Sequence, residues 1–133
     1  MLSIKNYPQS YVDTRRAVVK SQVAAYRKAA KAGDTKSLES AYFTNMVLAL
    51  DMAFIHRMRG NEGKDGNPLN EVRLLSYSLL ENDGVFALPD KSIKWDPDRS
   101  VLGFDTGKKI VIDDAAFVDL AEAFFDEIEK RFV

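Results

Sequence analysis

The run Met46–Ile55, MVLALDMAFI, leaves few folds open to this chain. At helical spacing it is apolar around most of its circumference. A helix of that kind sits at the centre of a bundle or is partly covered in an oligomer. The residues from Asp34 to Arg59 read as one helix built around this run, with Gly60 as its terminator. Ser37, Ser40, Thr44 and Asp51 form a narrow polar strip on it, expected to be the only face in water.

Three more helices are expected to enclose it. One runs from Ser10 to Ala32, where Ser10 and Asp13 resemble a capping box and Gly33 supplies the stop. Val12, Val19, Val23, Tyr26 and Ala30 make its apolar stripe, and Arg16, Lys20, Arg27 and Lys31 a basic stripe beside it. Another starts at Asn67-Pro68, with Asn67 as N-cap and Pro68 in the first turn. Leu69, Val72, Leu75 and Leu79 face inward there, and Asn82-Asp83-Gly84 stops it. The last, from Asp114 to about Phe132, sets Phe117, Leu120, Ala121, Phe124, Ile128 and Phe132 against Asp119, Glu122, Asp126 and Glu129.

Between Val85 and Asp113 the periodicity changes. Pro89, Pro97 and the turn pairs Asp-Pro and Thr-Gly interrupt it, while Ile93–Trp95 and Lys109–Ile112 read as short strands. A small hairpin, with Val101 to Phe104 as a further candidate, is expected. The fold class is therefore mainly α, a four-helix domain with a short β hairpin before the last helix. No repeat or linker divides it, so residues 1–133 read as a single domain.

At 46% hydrophobic and 29% charged, the 133 residues have a globular composition. The absence of cysteine excludes a disulfide framework and thiolate zinc ligation. The start, MLSIKNYPQS, has no apolar signal core, and no run approaches the ~18 apolar residues of a membrane span. A cytoplasmic protein with no membrane partner is expected.

The net charge of −1 conceals two opposed halves. Lys5 to Lys36 carries eight basic residues against Asp13 and Asp34, and Asp113 to Arg131 carries seven acidic residues against Lys130 and Arg131. The ordinary reading packs these two helices against each other, within a subunit or across a dimer. The sharper one draws a partner to one of the faces. Nucleic acid is disfavoured, because the chain is slightly acidic overall and shows neither a helix-turn-helix nor an aromatic platform.

The segment His56–Arg73, HRMRGNEGKDGNPLNEVR, concentrates the residues capable of chemistry: four basic, three acidic, three Asn and the only His. Its Gly60–Asp65 stretch resembles part of a P-loop. Met58 stands where the first glycine belongs, Asp65 where the hydroxyl belongs, and a helix precedes it rather than a strand. Alignment of Gly66 with the glycine of a calcium loop puts Asn61, Gly63 and Asp65 at ligand positions. The bidentate Glu position then falls on Val72, with Pro68 inside the loop. A site combining His56 with Glu62, Asp65 or Glu71 lacks the paired Glu-x-x-His pattern of helical di-metal proteins. No metal and no cofactor is therefore expected.

Two readings of the segment remain. His56, on the same helix side as Leu38, Tyr42, Asn45, Ala49 and Met52, is expected to be a hydrogen-bonded interior histidine. Glu62, Asp65 and Glu71 then pair with Arg57, Arg59, Lys64 and Arg73, while Gly60, Gly63 and Gly66 serve positive-φ turns. In the alternative, His56 or Glu62 is a catalytic acid or base, and Arg57, Arg59, Lys64, Asn67 and Arg73 hold an anionic small molecule. The second reading requires a pocket where His56, Glu62, Asn67 and Arg73 converge. The first requires those side chains locked in mutual ion pairs, with an exposed apolar patch elsewhere.

HRMRGNEGKDGNPLNEVR, followed by VLGFDTGKKIVIDDAAFVDLAEAFFDEIEKRF, resembles a family of small uncharacterised actinobacterial proteins over most of the chain after the first helix. The resemblance implies a free-standing single-domain bacterial protein and assigns no catalytic residue. No complete catalytic constellation is visible, so whether the chain is an enzyme stays open. The expected function is a small interaction or regulatory module, and the apolar second helix and Phe-rich last helix favour a homodimer. The alternative is a binding protein or enzyme for an anionic small molecule.

Overall fold

The computed structural model describes residues 3–133. It is mainly helical: α1 (Gln9–Ala32), α2 (Glu39–Ala53), a short α3 (Arg59–Glu62), α4 (Pro68–Glu81) and α5 (Asp114–Phe132), with a 3-10 turn at Pro97–Arg99. The apolar stripe of α5 is buried along its whole length, from Phe117 through Phe124 and Phe125 to Phe132. It packs against α4, α1 and α2. Phe43 of α2 stacks on Phe117, and Phe54 meets both Phe124 and Phe125 edge-on. Aromatic pairs of this kind add about 0.5–1.5 kcal/mol each beyond the area they bury.

Local signals account for several boundaries. The Asn67 side chain accepts from the amides of Leu69 and Asn70 at 2.8 and 3.4 Å, with Pro68 following as the first helical residue. Asp113 caps α5 through the Ala116 amide at 2.8 Å. After α4, Asp83 and Gly84 both take positive φ, which turns the chain sharply. The start of α1 differs from expectation. Pro8 is the N-cap and its carbonyl accepts from Tyr11 and Val12, so Ser10 lies inside the helix and caps nothing. Gly33 ends α1 in an extended conformation that does not require glycine.

The second helix is shorter than expected at both ends. Asp34 makes a turn, accepting from the Lys36 amide, and the helix begins at Glu39. It stops at Ala53, because the chain turns at Phe54 and then pairs with the N-terminal segment. Ile4 donates to the His56 carbonyl, and Met58 donates to that of Ile4, each at 2.8 Å. His56 is thus not on the helix. The polar strip is not its only wet face either. Asp51 is buried, whereas Met52 is 66% exposed.

The expected hairpin is absent. Among the described residues there is no strand, and between Val85 and Asp113 only one isolated antiparallel bridge, Val85–Lys109. The alternation over Lys109–Ile112 does correspond to half-buried extended chain, with Ile110 and Ile112 inside and Val111 outside. Its neighbour is Gly84–Phe86 rather than Ile93–Trp95. The other amides have different partners. Lys94 donates to the Lys64 carbonyl, Ile112 to the Ser40 hydroxyl, and Val101 and Leu102 to the Glu71 carboxylate. A ladder needs those same donors.

Candidate functional site

The side chains of His56–Arg73 meet in one buried network at the junction of α2, α3 and α4. Arg57 has no solvent-accessible side-chain surface. Its Nε donates to Glu62 Oε1 at 2.6 Å, and its Nη1 to Asp51 Oδ1 and the Phe54 carbonyl at 3.1 Å each. Its Nη2 reaches the Leu69 carbonyl at 3.3 Å, and the guanidinium lies 5.5 Å from the Phe124 ring centroid. Glu62 is held from the other side by Arg73, at 3.0 Å to Oε2 and 2.7 Å to Oε1, and by the Asn70 amide at 2.8 Å. Two carboxylates therefore face two guanidiniums; Glu62 accepts four hydrogen bonds and is saturated, whereas Asp51 accepts one, from Arg57. A buried ion cluster tolerates desolvation only where its charges are paired in this way.

Asparagines and the C-terminal helix close the loop. Asn67 donates to the Glu62 carbonyl at 2.8 Å and to Asp65 Oδ1 at 2.6 Å. Asn70 joins the Gly63 carbonyl to the Gly66 amide. From α5, Arg131 donates to the Glu62 carbonyl at 3.0 Å and to Asp65 at 3.1 Å, and it also pairs with Glu127. Gly66 has φ +82°, and a Cβ there would lie 2.4 Å from the Lys94 carbonyl oxygen. Glycine is required at this one contact.

The carboxyls respond to these surroundings in opposite ways. Burial alone would push Glu62 up, but the Arg73 hydrogen bond, the charges of Arg57 and Arg73 and the Asn70 amide together hold it below its ordinary value. Asp65 is held down chiefly by the Asn67 hydrogen bond, with Arg131 adding to it. Glu71 is pushed up by burial, which the Val101 and Leu102 amides only partly offset. The Tyr7 phenol is raised to about 12 by burial.

Of the residues named from sequence, Arg57, Glu62, Asn67 and Arg73 are brought together, joined by Asn70 and Asp51. His56 is not among them. It is exposed, beside a shallow apolar hollow that also contains Ile4, Tyr11, Met52 and Ile55. Lys64 is exposed and reaches Ser92 and Asp90. Arg59 is exposed with no ion pair among the described residues. Glu71 pairs with no cation among the described residues; its oxygens each accept one backbone N–H, from Val101 and Leu102, at 2.9 Å. Gly60 lies within α3 and needs no positive φ. No cluster of three or more His, Asp or Glu side chains able to hold a metal occurs among the described residues, and no helix there is long and apolar enough to cross a membrane.

A different concavity lies between α1 and α5. The helices run antiparallel, as their ion pairs show: Arg16 meets Glu129 and Asp126, and Arg27 meets Asp114. Between these clamps is a groove of ≈ 520 Å³ floored by Val19, Val23, Val118, Ala121 and Phe125. Five basic side chains, Arg16, Lys20, Arg27, Lys28 and Lys31, and one acid, Glu122, complete its lining. The opposed charges of the two helices are thus partly met within the subunit. Lys20 and Lys31 of the α1 stripe nevertheless stay in solvent, as does the neighbouring Lys28. The basic stripe in the sequence was the signal for this groove; its apolar floor depends on where α5 lands.

No protein-family model matches the chain, and comparison with curated proteins and with solved structures returned no match.

Proposed function

We propose that the protein is a small interaction module that holds an acidic, amphipathic helix of a protein partner in the α1–α5 groove. The observation carrying this reading is the combination of an apolar floor with a rim on which Lys20, Lys28 and Lys31 make no ion pair among the described residues, beside the paired Arg16 and Arg27 and one acid, Glu122. An amphipathic helix recognises such a groove through residues spaced three and four apart, and acidic flanks match the lysines. The closure of the His56–Arg73 network supports the same reading. Its buried carboxylate already has its cations, and its asparagines already hold backbone.

The test is a titration of labelled Glu/Leu-patterned amphipathic peptides into the protein, followed by anisotropy. Binding should weaken as salt rises and drop at least tenfold in Lys20→Glu/Lys28→Glu, both exposed positions. Binding that ignores salt and that double substitution would sink the assignment to this groove.

A second reading, an anionic small molecule at the outer edge of the network, is favoured by Arg59. Its guanidinium borders a cleft of ≈ 300 Å³ that Arg73 and Tyr77 also line, together with the carboxylates of Asp51, Glu81 and Asp90, so an anion would have to bind at the arginine side. A thermal-shift screen with phosphate, sugar phosphates and carboxylates tests it, because a ligand at a hundred times its Kd adds about 2.7 kcal/mol. A shift lost in Arg59→Ala supports this reading, and a flat screen removes it.

A further inference from the structure

In a chain with 29% charged residues, the outward face of α2 carries no charge. The helix has only Glu39 and Asp51, and Asp51 turns inward to Arg57. Leu38, Ala41, Asn45, Ala49 and Met52 lie outward and exposed, Leu38 by 51% and Met52 by 66%. Beside them, Tyr11, Arg15, Val18 and Gln22 share one stripe of α1, with the Arg15 guanidinium over the Tyr11 ring. The hydroxyls of Tyr11 and Tyr42 bridge the two helices, to the carbonyls of Ala53 and Gln22.

The order of these residues is a palindrome about Asn45. Reading outward, each direction meets first a small residue, Ala41 or Ala49, and then a large flexible apolar one, Leu38 or Met52. Their spacing of 3, 4, 4 and 3 averages 3.5 residues, the repeat of a seam between helices crossing at about 20°. We propose that this face seats a second copy of the chain, with the two α2 helices antiparallel across a two-fold axis at Asn45. Leu38 then packs on Met52 of the other copy and Ala41 on Ala49, while the two Asn45 amides face each other. The alanines allow close approach. An amide carries both donor and acceptor, so it is complementary to its own symmetry mate, and a lone Asn in an apolar seam fixes register.

Charge and extent agree with this occupant. The α2 seam itself carries no charge, so two copies of it meet without repulsion or a desolvated ion; on α1 the Arg15 guanidinium lies 5.9 Å from the Tyr11 ring centroid, at the edge of the patch. Ile55, Tyr11 and Val18, at 39, 38 and 36% exposure, widen the patch beyond the α2 seam, as an interface needs if it is to reach about 600 Å² per copy, or about 1,200 Å² in the pair, the lower edge of specific association. The arrangement is isologous and closed, so it stops at a dimer.

Sedimentation velocity over micromolar to near-millimolar concentrations tests the proposal. The expected result is a reversible dimer that becomes a monomer in Ala49→Glu, with an unchanged melting temperature at dilution. The native chain has no cysteine, so single substitutions read the register. Oxidised Asn45→Cys should cross-link to itself, whereas Leu38→Cys should not, because its symmetry mate would be about 21 Å away along the helices. Leu38→Cys and Met52→Cys mixed together should form the heterodimeric cross-link. A monomer at the highest concentration would overturn the proposal and leave the face to another partner. A dimer indifferent to Ala49→Glu, or a Leu38→Cys self-link as efficient as that of Asn45→Cys, would overturn it as well.

Discussion

Truncating Arg57 leaves Asp51 without its cation and Glu62 with one guanidinium in place of two, all within the core. Breaking a buried pair from one side costs about 3–5 kcal/mol, because the remaining charge stays desolvated. Arg57→Ala should therefore lose most of the domain's margin in urea denaturation, while His56→Ala, one position earlier but exposed, should change it by less than about 0.5 kcal/mol. A large loss in His56→Ala would mean that its imidazole has a partner. The pH response follows from the same carboxylate. The folded-state pKa of Glu62 lies below its unfolded value of 4.5, so its contribution is complete above that value and is lost as pH falls through the folded one. Glu71 acts oppositely. Its raised pKa gives a contribution present below 4.5 that is lost as pH rises through the folded value. Urea midpoints measured between about pH 3 and 7 should thus fall on the acid side, and Glu62→Gln should flatten that fall while lowering the plateau.

Among the elements, the approach of α4 to the following loop is decided at Gly66. With φ at +82° and the Lys94 carbonyl oxygen 2.4 Å from an added Cβ, Gly66→Ala must both strain the backbone and displace residues 92–95, a cost of at least about 2 kcal/mol. Gly60, with nothing within 4 Å and a place inside α3, should accept alanine neutrally or gain about 0.4–1 kcal/mol. Thermal melts of the two variants should move in different directions or by very different amounts. The contrast shows what a sequence can reveal about elements. Asn67-Pro68 marks the start of α4 because capping involves only neighbouring residues. The end of α2 depends on Ile4, fifty-odd residues away in sequence, and on the fold-back of Arg57 to the Phe54 carbonyl, so periodicity ran past it. Alternation at Lys109–Ile112 identifies extended chain but not its neighbour. The other segment that reads as a strand, Ile93–Trp95, has its Lys94 amide on the Lys64 carbonyl instead. The ion pairs of Arg57, Glu62 and Arg73 were legible as charges at suitable separations. The exposure of His56 was not, because it follows from where the helix stops.

At the scale of the molecule, the proposed dimer face and the α1–α5 groove use different sides of α1. Tyr11 bonds to α2 and Gln22 borders it, whereas Val19, Val23 and Arg27 line the side toward α5. Dimerisation would leave two grooves open, and a partner with two helices would gain avidity from both. The Val85–Asp113 excursion is joined to α2 through Ser40 and to α4 through Glu71 and Ser78. Its only tryptophan, Trp95, donates to the Phe104 carbonyl at 3.0 Å and packs on the buried Phe86, while Glu71 of α4 holds the amides of Val101 and Leu102. Fluorescence therefore reports the excursion, and far-UV circular dichroism reports the helices. If the buried carboxylate binds them into one cooperative unit, the two urea transitions of the native protein coincide. Glu71→Ala removes both acceptors, and leaving each amide unsatisfied costs about 1–3 kcal/mol. That variant should lose its fluorescence signal at a lower urea concentration than its helical signal, because the excursion is then tied down by the apolar contacts of Phe86, Ile93, Ile110 and Ile112 and by single backbone bonds such as Lys94 to the Lys64 carbonyl and Ala87 to the Ser78 hydroxyl. Coincident transitions in the variant would instead place the coupling in those apolar contacts, with the Glu71 carboxylate as an anchor the excursion does not need.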